Sequence, residues 1–179
     1  LGALPEKIIQ FGEGNFLRGF ADWMVDRMNR RNLFNGRVVV VQPVKQGLAD
    51  VLNKQDGLYT LILRGIQDGQ MVESREIMTS VSRAIDAYQD WASVRDMIRK
   101  PELRFFISNT TEAGIVYAAE TYEENHCPAT FPAKVATLLY ERFRTSGGDA
   151  TKGLVFLPCE LIESNGTKLK ECVMRYAAD

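Results

Sequence analysis

The sequence predicts an α/β chain: a doubly wound, mostly parallel sheet with an antiparallel hairpin inserted into it. Three observations predict this. Apolar runs of strand length at 7–11 (KIIQF), 37–42 (RVVVVQ), 103–108 (LRFFIS) and 153–157 (GLVFL) alternate with segments of helical periodicity. These runs are apolar at successive positions, the mark of strands covered on both faces. The first run turns through Gly12-Glu13-Gly14 straight into a helical pattern, as a nucleotide-binding strand–turn–helix does.

The elements follow in order. After the first strand, Phe16, Phe20, Trp23, Met24 and Met28 recur at helical spacing through Arg31. Asn35-Gly36 makes a turn, and the β-branched run 37–42 is a second strand that Pro43 closes. Extended candidates at 59–64 and 71–78 flank Asp68-Gly69, a strong hairpin signal. Tyr88, Trp91, Val94 or Arg95, and Ile98 mark an amphipathic helix that Pro101 stops. The strand at 103–108 follows, then a helix expected over 110–120. A clearer helix runs over 130–143, with Val135, Leu138, Leu139 and Phe143 on one face. The strand 153–157 and a helix from Lys168 complete the pattern.

Composition narrows the function. The chain has 179 residues, 45% of them hydrophobic, enough for a packed core and too many for disorder. Its net charge of −1 leaves no electrostatic footprint for nucleic acid or an anionic membrane surface. No apolar run is long enough to span a bilayer. Three cysteines, an odd number without a signal-peptide layout at the start, point to free thiols in the cytoplasm. The single His126 stands beside Cys127 with no second ligand pair at metal-binding spacing, so no metal site is expected.

The candidate sites all lie after strands, on the carboxyl edge where doubly wound sheets bind ligands. In Gly12-Glu13-Gly14 the first glycine permits a tight turn and the second lets backbone approach a pyrophosphate. The helix from Asn15 aims unpaired N–H groups at that anion, and Arg18 lies one turn in to pair with it. Leu17 occupies the place of the third glycine of G-x-G-x-x-G. The second strand ends in Gln42-Pro43 rather than in the acidic residue that usually meets a ribose; Gln42 can bond a ribose hydroxyl, and Lys45 leaves NAD against NADP open. Asn109, Thr110, Thr111 and Glu112 form a polar loop suited to a nicotinamide ribose or substrate, or to capping a helix. Lys134 is a cation in a first helical turn, opposed by the helix dipole unless an anion compensates; Glu160 follows the last strand, where it can orient a substrate hydroxyl. Cys159 has no histidine beside it and reads as packing.

Four segments in order, "IIQFGEGNFLRGF", "SNTTEAGI", "TFPAKVATLLYERF" and "GLVFLPCELIESNG", resemble the mannitol dehydrogenase family of zinc-independent, long-chain polyol and hexuronate dehydrogenases. The resemblance covers almost the whole chain. In that family the turn reads G-x-G-x-F, so Phe16 belongs to the pattern and Leu17 fits it. The resemblance implies a Rossmann-like NAD-binding domain over 1–179. It implies a cofactor surface running from Ile9, Gln10, Phe11, Gly12, Glu13, Gly14, Asn15, Phe16, Leu17 and Arg18 to Gln42, Pro43 and the loop 109–112. It also implies hydride transfer between D-altronate and D-tagaturonate in hexuronate breakdown, with Lys134 and Glu160 toward the sugar acid. Family members carry a helical C-terminal domain that supplies the catalytic lysine, so no catalytic residue is expected within this chain. Mannitol-oxidising members have an asparagine after a Cys-Asp pair; here Cys159-Glu160 precedes Leu161, a departure that favours the tagaturonate branch. A fructuronate reductase or mannitol-type dehydrogenase of the same family stays open as an alternative, as does a non-catalytic nucleotide-binding module. A Tyr-x-x-x-Lys pair and a P-loop are both absent from the sequence.

Overall fold

A computed structural model describes residues 4–111 and 113–178. Five strands form one sheet: β1 (Glu6–Phe11), β2 (Arg37–Gln42), β5 (Val81–Asp86), β6 (Phe105–Ser108) and β7 (Val155–Pro158). Their order is β5-β2-β1-β6-β7, and every neighbouring pair is parallel. Between β2 and β5 the chain forms α3 (Ala49–Lys54) and then a separate two-stranded antiparallel sheet, β3 (Tyr59–Gln67) with β4 (Gln70–Met78). The order reverses between β1 and β6, so the crevice for a ligand opens there.

Alternation along each strand builds two cores. Ile9, Phe11, Val39, Val41 and Phe106 face α4 (Trp91–Arg99), α5 (Phe131–Ser146) and α6 (Asn165–Ala178). Ile8, Val38, Val40 and Ile107 face the other way, onto Leu17 of α1 (Asn15–Gly19), Ala21 and Val25 of α2 (Ala21–Arg30) and Leu52 of α3. Each such side chain, fully removed from water, stabilises by roughly 1.5–3 kcal/mol. The helix ends follow their sequence signals: Asp90 caps α4 by accepting from Ser93 N–H at 3.0 Å, and Thr130 caps α5 by accepting from Ala133 N–H at 3.2 Å. Gly147 ends α5 in the left-handed region at φ 62°.

Several expectations need correction. The single helix expected from Phe16 to Arg31 is two, broken at Phe20, whose φ and ψ are −118° and −76°. The break follows Gly19 and lets Leu17 and Val25 both reach the same core. No helix forms over the described part of 110–120. There only Ile115 is buried, so no apolar stripe exists to dock a helix. The loop is instead tied down by side chains. The Tyr176 hydroxyl accepts from Ala118 N–H at 2.9 Å and donates to its carbonyl at 2.7 Å. Strand β5 and helix α3 were missed. β5 reads VSRAID, and its polar Ser82 and Arg83 serve Glu6 rather than solvent, which hides the buried Val81, Ala84 and Ile85. Phe143, expected on the apolar face of α5, is exposed.

Candidate functional site

The glycine turn lies at the switch point. Gly12 adopts φ +117°, a region closed to most side chains. A Cβ there would stand 2.8 Å from the Asn109 carbonyl oxygen, so β1 and β6 approach this closely only with glycine. Its N–H donates to the Val41 carbonyl at 3.0 Å. Gly14 is different. It begins α1 at φ −67° and ψ 166°, and a Cβ there would meet nothing within 4 Å. Its carbonyl accepts from Arg18 N–H at 3.3 Å. The chain in front of α1 is thus open, while the chain behind it is closed.

The other residues of this stretch divide by role. Ile9, Phe11 and Leu17 are core, at 0%, 0% and 1% exposure, and support the turn from beneath. Leu17 lies 3.5 Å from the place of a Gly12 Cβ, so it fills space next to the first glycine rather than obstructing the turn. Gln10 is buried; its Nε2 donates to the Gly12 carbonyl at 3.1 Å and to Asp22 Oδ2 at 3.3 Å. Asn15 and Phe16 are exposed, Phe16 stacked on Phe20 with centroids 5.3 Å apart. Arg18 donates to Asn15 Oδ1 at 2.7 Å and lies over the Tyr59 ring. Burial raises the Glu13 carboxyl above its ordinary range, against backbone N–H donors and Arg18 that pull it down, and Asp86 adds to the rise.

The end of β2 is more acidic than its own sequence. Gln42 is buried and its amide is already engaged: Nε2 donates to Val44 O at 2.9 Å and Asp86 Oδ2 at 3.1 Å, and Oε1 accepts from Ala49 N–H at 3.1 Å. Pro43 is half-buried and Lys45 exposed. The carboxylates near this strand end come from Asp86, closing β5, and Glu13, from the glycine turn. The sequence places Glu13 on the cofactor surface through the glycine turn, but Asp86 was missed, because the acid was sought in β2 itself and the neighbouring strand supplies it.

On the other side of the switch point, β6 and β7 end in one cluster. Glu160 is 4% exposed; its Oε1 accepts from Thr110 N–H at 3.1 Å and Thr110 Oγ1 at 3.3 Å. Asn109 Nδ2 donates to the Cys159 carbonyl at 2.6 Å. Glu160 Oε2 and Ser108 Oγ are buried and have no hydrogen-bond partner among the described residues. Two orphaned acceptors at the carboxyl ends of adjacent strands suit a ligand hydroxyl or amide. Thr111 is exposed beside them, and Glu112 lies outside the described residues.

Lys134 is not solvated. It is 1% exposed, and its Nζ donates to the Ala129 carbonyl at 2.9 Å and the Tyr88 hydroxyl at 3.2 Å, 4.7 Å from the Tyr88 ring centroid. Neutral oxygens and a ring face, rather than an anion, offset its charge in the first turn of α5. The thiols are quiet: burial pushes Cys127 up to about 11 and also raises Cys159, which Glu160 raises further. Among the described residues no group of three His, Cys, Asp or Glu side chains gathers to hold a metal, and no helix is long and apolar enough to cross a membrane.

Residues 6–179 match the family model of the mannitol dehydrogenase Rossmann domain. The chain belongs to the mannitol dehydrogenase family. It is 50% identical over 175 residues to an altronate oxidoreductase of Halalkalibacterium halodurans, covering 97% of this chain and 34% of that protein. It is 51% identical over 173 residues to an altronate oxidoreductase of Bacillus subtilis, covering 97% and 36%. The chain therefore spans about a third of the length of the curated relatives it matches, at their N-terminal end. The fold matches Pseudomonas fluorescens mannitol 2-dehydrogenase, solved with NAD and D-mannitol, at a TM-score of 0.80 and 22% identity, over 98% of this chain and 38% of that one. A D-sorbitol dehydrogenase in substrate-free form matches at 0.78 and 20% identity, over the same shares of each chain.

Proposed function

We propose that this chain is the NAD-binding part of an enzyme that interconverts D-altronate and D-tagaturonate by hydride transfer, in the cytoplasm, where its three cysteines stay free thiols. The observation that carries the reading is the near-50% identity to altronate oxidoreductases along essentially the whole chain. The site fits the cofactor on its own terms. Gly14 leaves open space before the first turn of α1, where unpaired backbone N–H groups can donate to a pyrophosphate. Gly12 holds the turn against Asn109, so the two halves of the crevice keep a fixed distance. NAD, when bound, supplies the hydride acceptor and donor. Glu160 Oε2 and Ser108 Oγ would accept from hydroxyl or amide groups of cofactor or sugar acid at the ends of β6 and β7, with Asn109, Thr110 and Thr111 lining the approach.

Carbonyl reduction also needs a proton donor near the substrate oxygen. The buried Lys134 and the raised thiols offer none at the crevice. The remaining two thirds of the protein is where that donor belongs. The expected result is that residues 1–179 bind NADH, followed by fluorescence or calorimetry, and do not reduce tagaturonate, while the full-length protein does. Reduction by 1–179 alone would move the proton donor into this chain. A full-length protein that reduces fructuronate or fructose far faster than tagaturonate would shift the reading to another branch of the family.

NADH is expected to bind more tightly than NADPH. Asp86 and Glu13 place negative charge near the end of β2, where a 2′-phosphate would arrive, while Lys45 is an exposed cation close to that strand end in sequence. Competitive titration checks this. Tighter NADPH binding that Lys45→Ala reverses would show that the lysine outweighs both carboxylates.

A further inference from the structure

We infer that Asp22 is a positioning residue for the cofactor: it acts on the glycine turn through Gln10, and NADH binding draws a proton onto this buried pair. The inference rests on the reading of the turn as the pyrophosphate site. By alternation Gln10 shares the face of Ile8, toward α1 and α2, and both Gln10 and Asp22 are fully buried. One amide hydrogen of Gln10 goes to the Gly12 carbonyl at 3.1 Å and the other to Asp22 Oδ2 at 3.3 Å. A single side chain thus joins the turn to α2. In a trans peptide the N–H and C=O point opposite ways. A Gly12 carbonyl drawn into the core therefore turns the Glu13 N–H out of it.

The pair is short of one donor. Gln10 Oε1 and Asp22 Oδ1 are both buried, and neither has a hydrogen-bond partner among the described residues. An ionised Asp22 leaves both acceptors without a donor. A protonated Asp22 supplies it: Oδ1–H donates to Gln10 Oε1 while Nε2 still donates to Oδ2, which closes an acid–amide ring and keeps the bond to Gly12. Burial pushes the Asp22 carboxyl up to about 7, against the Gln10 hydrogen bond and the charge of Arg18 on α1. The other groups on this side are engaged. Tyr59 on β3 donates its hydroxyl to the Arg18 carbonyl at 2.7 Å, and Asp26, one turn along α2, accepts from Arg30 and Thr79. β2 presents Val38 and Val40 there, and Glu13 in the turn draws on the same Arg18 as Asp22 does. A pyrophosphate at the turn adds negative charge beside Asp22 and competes for Arg18. Both effects favour the neutral acid. By reciprocity the neutral acid favours the cofactor, so affinity is highest below about 7 and falls as pH rises through that value.

Calorimetry of NADH binding to the full-length protein, in two buffers of different ionisation enthalpy, counts the protons. A roughly tenfold preference of NADH for the protonated form lowers affinity roughly fivefold between pH 6.5 and pH 8.5. The same preference gives an expected uptake of about half a proton per NADH bound at pH 7.5. Asp22→Asn, which keeps the shape and stays neutral, should show no uptake and a flat affinity profile over that range. Binding without proton uptake in the parent overturns the inference. So does uptake that persists in Asp22→Asn, which would put the proton on another group such as Glu13. NADH that fails to bind at any pH overturns the proposed function as well, whereas pH-independent binding leaves that function standing.

Discussion

Gly14→Val should weaken NADH binding by roughly 100-fold while leaving the fold intact. The reason lies in the contrast between two glycines two residues apart. At Gly14 the backbone is in an ordinary extended conformation and a Cβ meets nothing within 4 Å, so the chain itself accepts a side chain. That side chain projects into the space where a pyrophosphate would meet the first turn of α1. Holding the anion away removes about two charge-assisted hydrogen bonds at ~1.5 kcal/mol each, which is the 100-fold. Gly12→Ala should behave in the opposite manner. At φ +117° and 2.8 Å from the Asn109 carbonyl, the new methyl strains the turn and displaces the β6 loop, so melting temperature falls. Fluorescence titration with NADH beside far-ultraviolet circular dichroism separates the two cases. Parental affinity in Gly14→Val would reduce the turn to a structural corner.

Much of this was legible in the sequence because it depends on local pattern. A strand buried on both faces announces itself as RVVVVQ, and a turn that requires positive φ announces itself as Gly12. What escaped depends on partners distant in sequence. β5 looked polar because Ser82 and Arg83 reach back to Glu6, more than 70 positions away. The helix expected after Ser108 gave way to a loop because its backbone finds Tyr176 from the far end of the chain. The Gln42 amide bonds Val44, Ala49 and Asp86, partners that its place at the end of β2 does not disclose. The partners of the Lys134 ammonium group, the Tyr88 hydroxyl and the Ala129 carbonyl, are likewise set by packing that the sequence does not display. In each case the residue type was informative about chemistry and silent about which neighbour would use it.

Asp22→Asn should stabilise the protein by a few kcal/mol above neutral pH, and by progressively less as pH falls toward 4. Asp22 is fully buried on α2, directly under the glycine turn. Among the described residues its Oδ2 accepts only from Gln10 Nε2, at 3.3 Å, and its Oδ1 has no partner. Burial drives the carboxyl from 3.8 up to about 7, against that hydrogen bond and the charge of Arg18. Tyr59, packed nearby, is raised in turn by its own burial and by the Asp22 charge. The sign follows from proton counting. Between pH 4 and 7 the folded chain holds a proton on Asp22 that the unfolded chain has released, so stability falls as pH rises through that window. Above about 7 the charge is buried and the cost is complete, on the order of 4 kcal/mol as an upper bound. Asparagine keeps the shape, carries no charge, and brings an N–H₂ that can donate to the orphaned Gln10 Oε1. Glu6 sets a separate, lower window. Burial raises it, but Arg83, Lys100 and Ser82 outweigh that and hold it at about 2, so its contribution is present above 4.5 and lost as pH falls toward 2. Urea unfolding of parent and variant at pH 5 and pH 8 tests the Asp22 account. The gain from Asp22→Asn should be a few kcal/mol at pH 8 and under half of that at pH 5; equal effects at both would mean that Asp22 does not change its ionisation on folding.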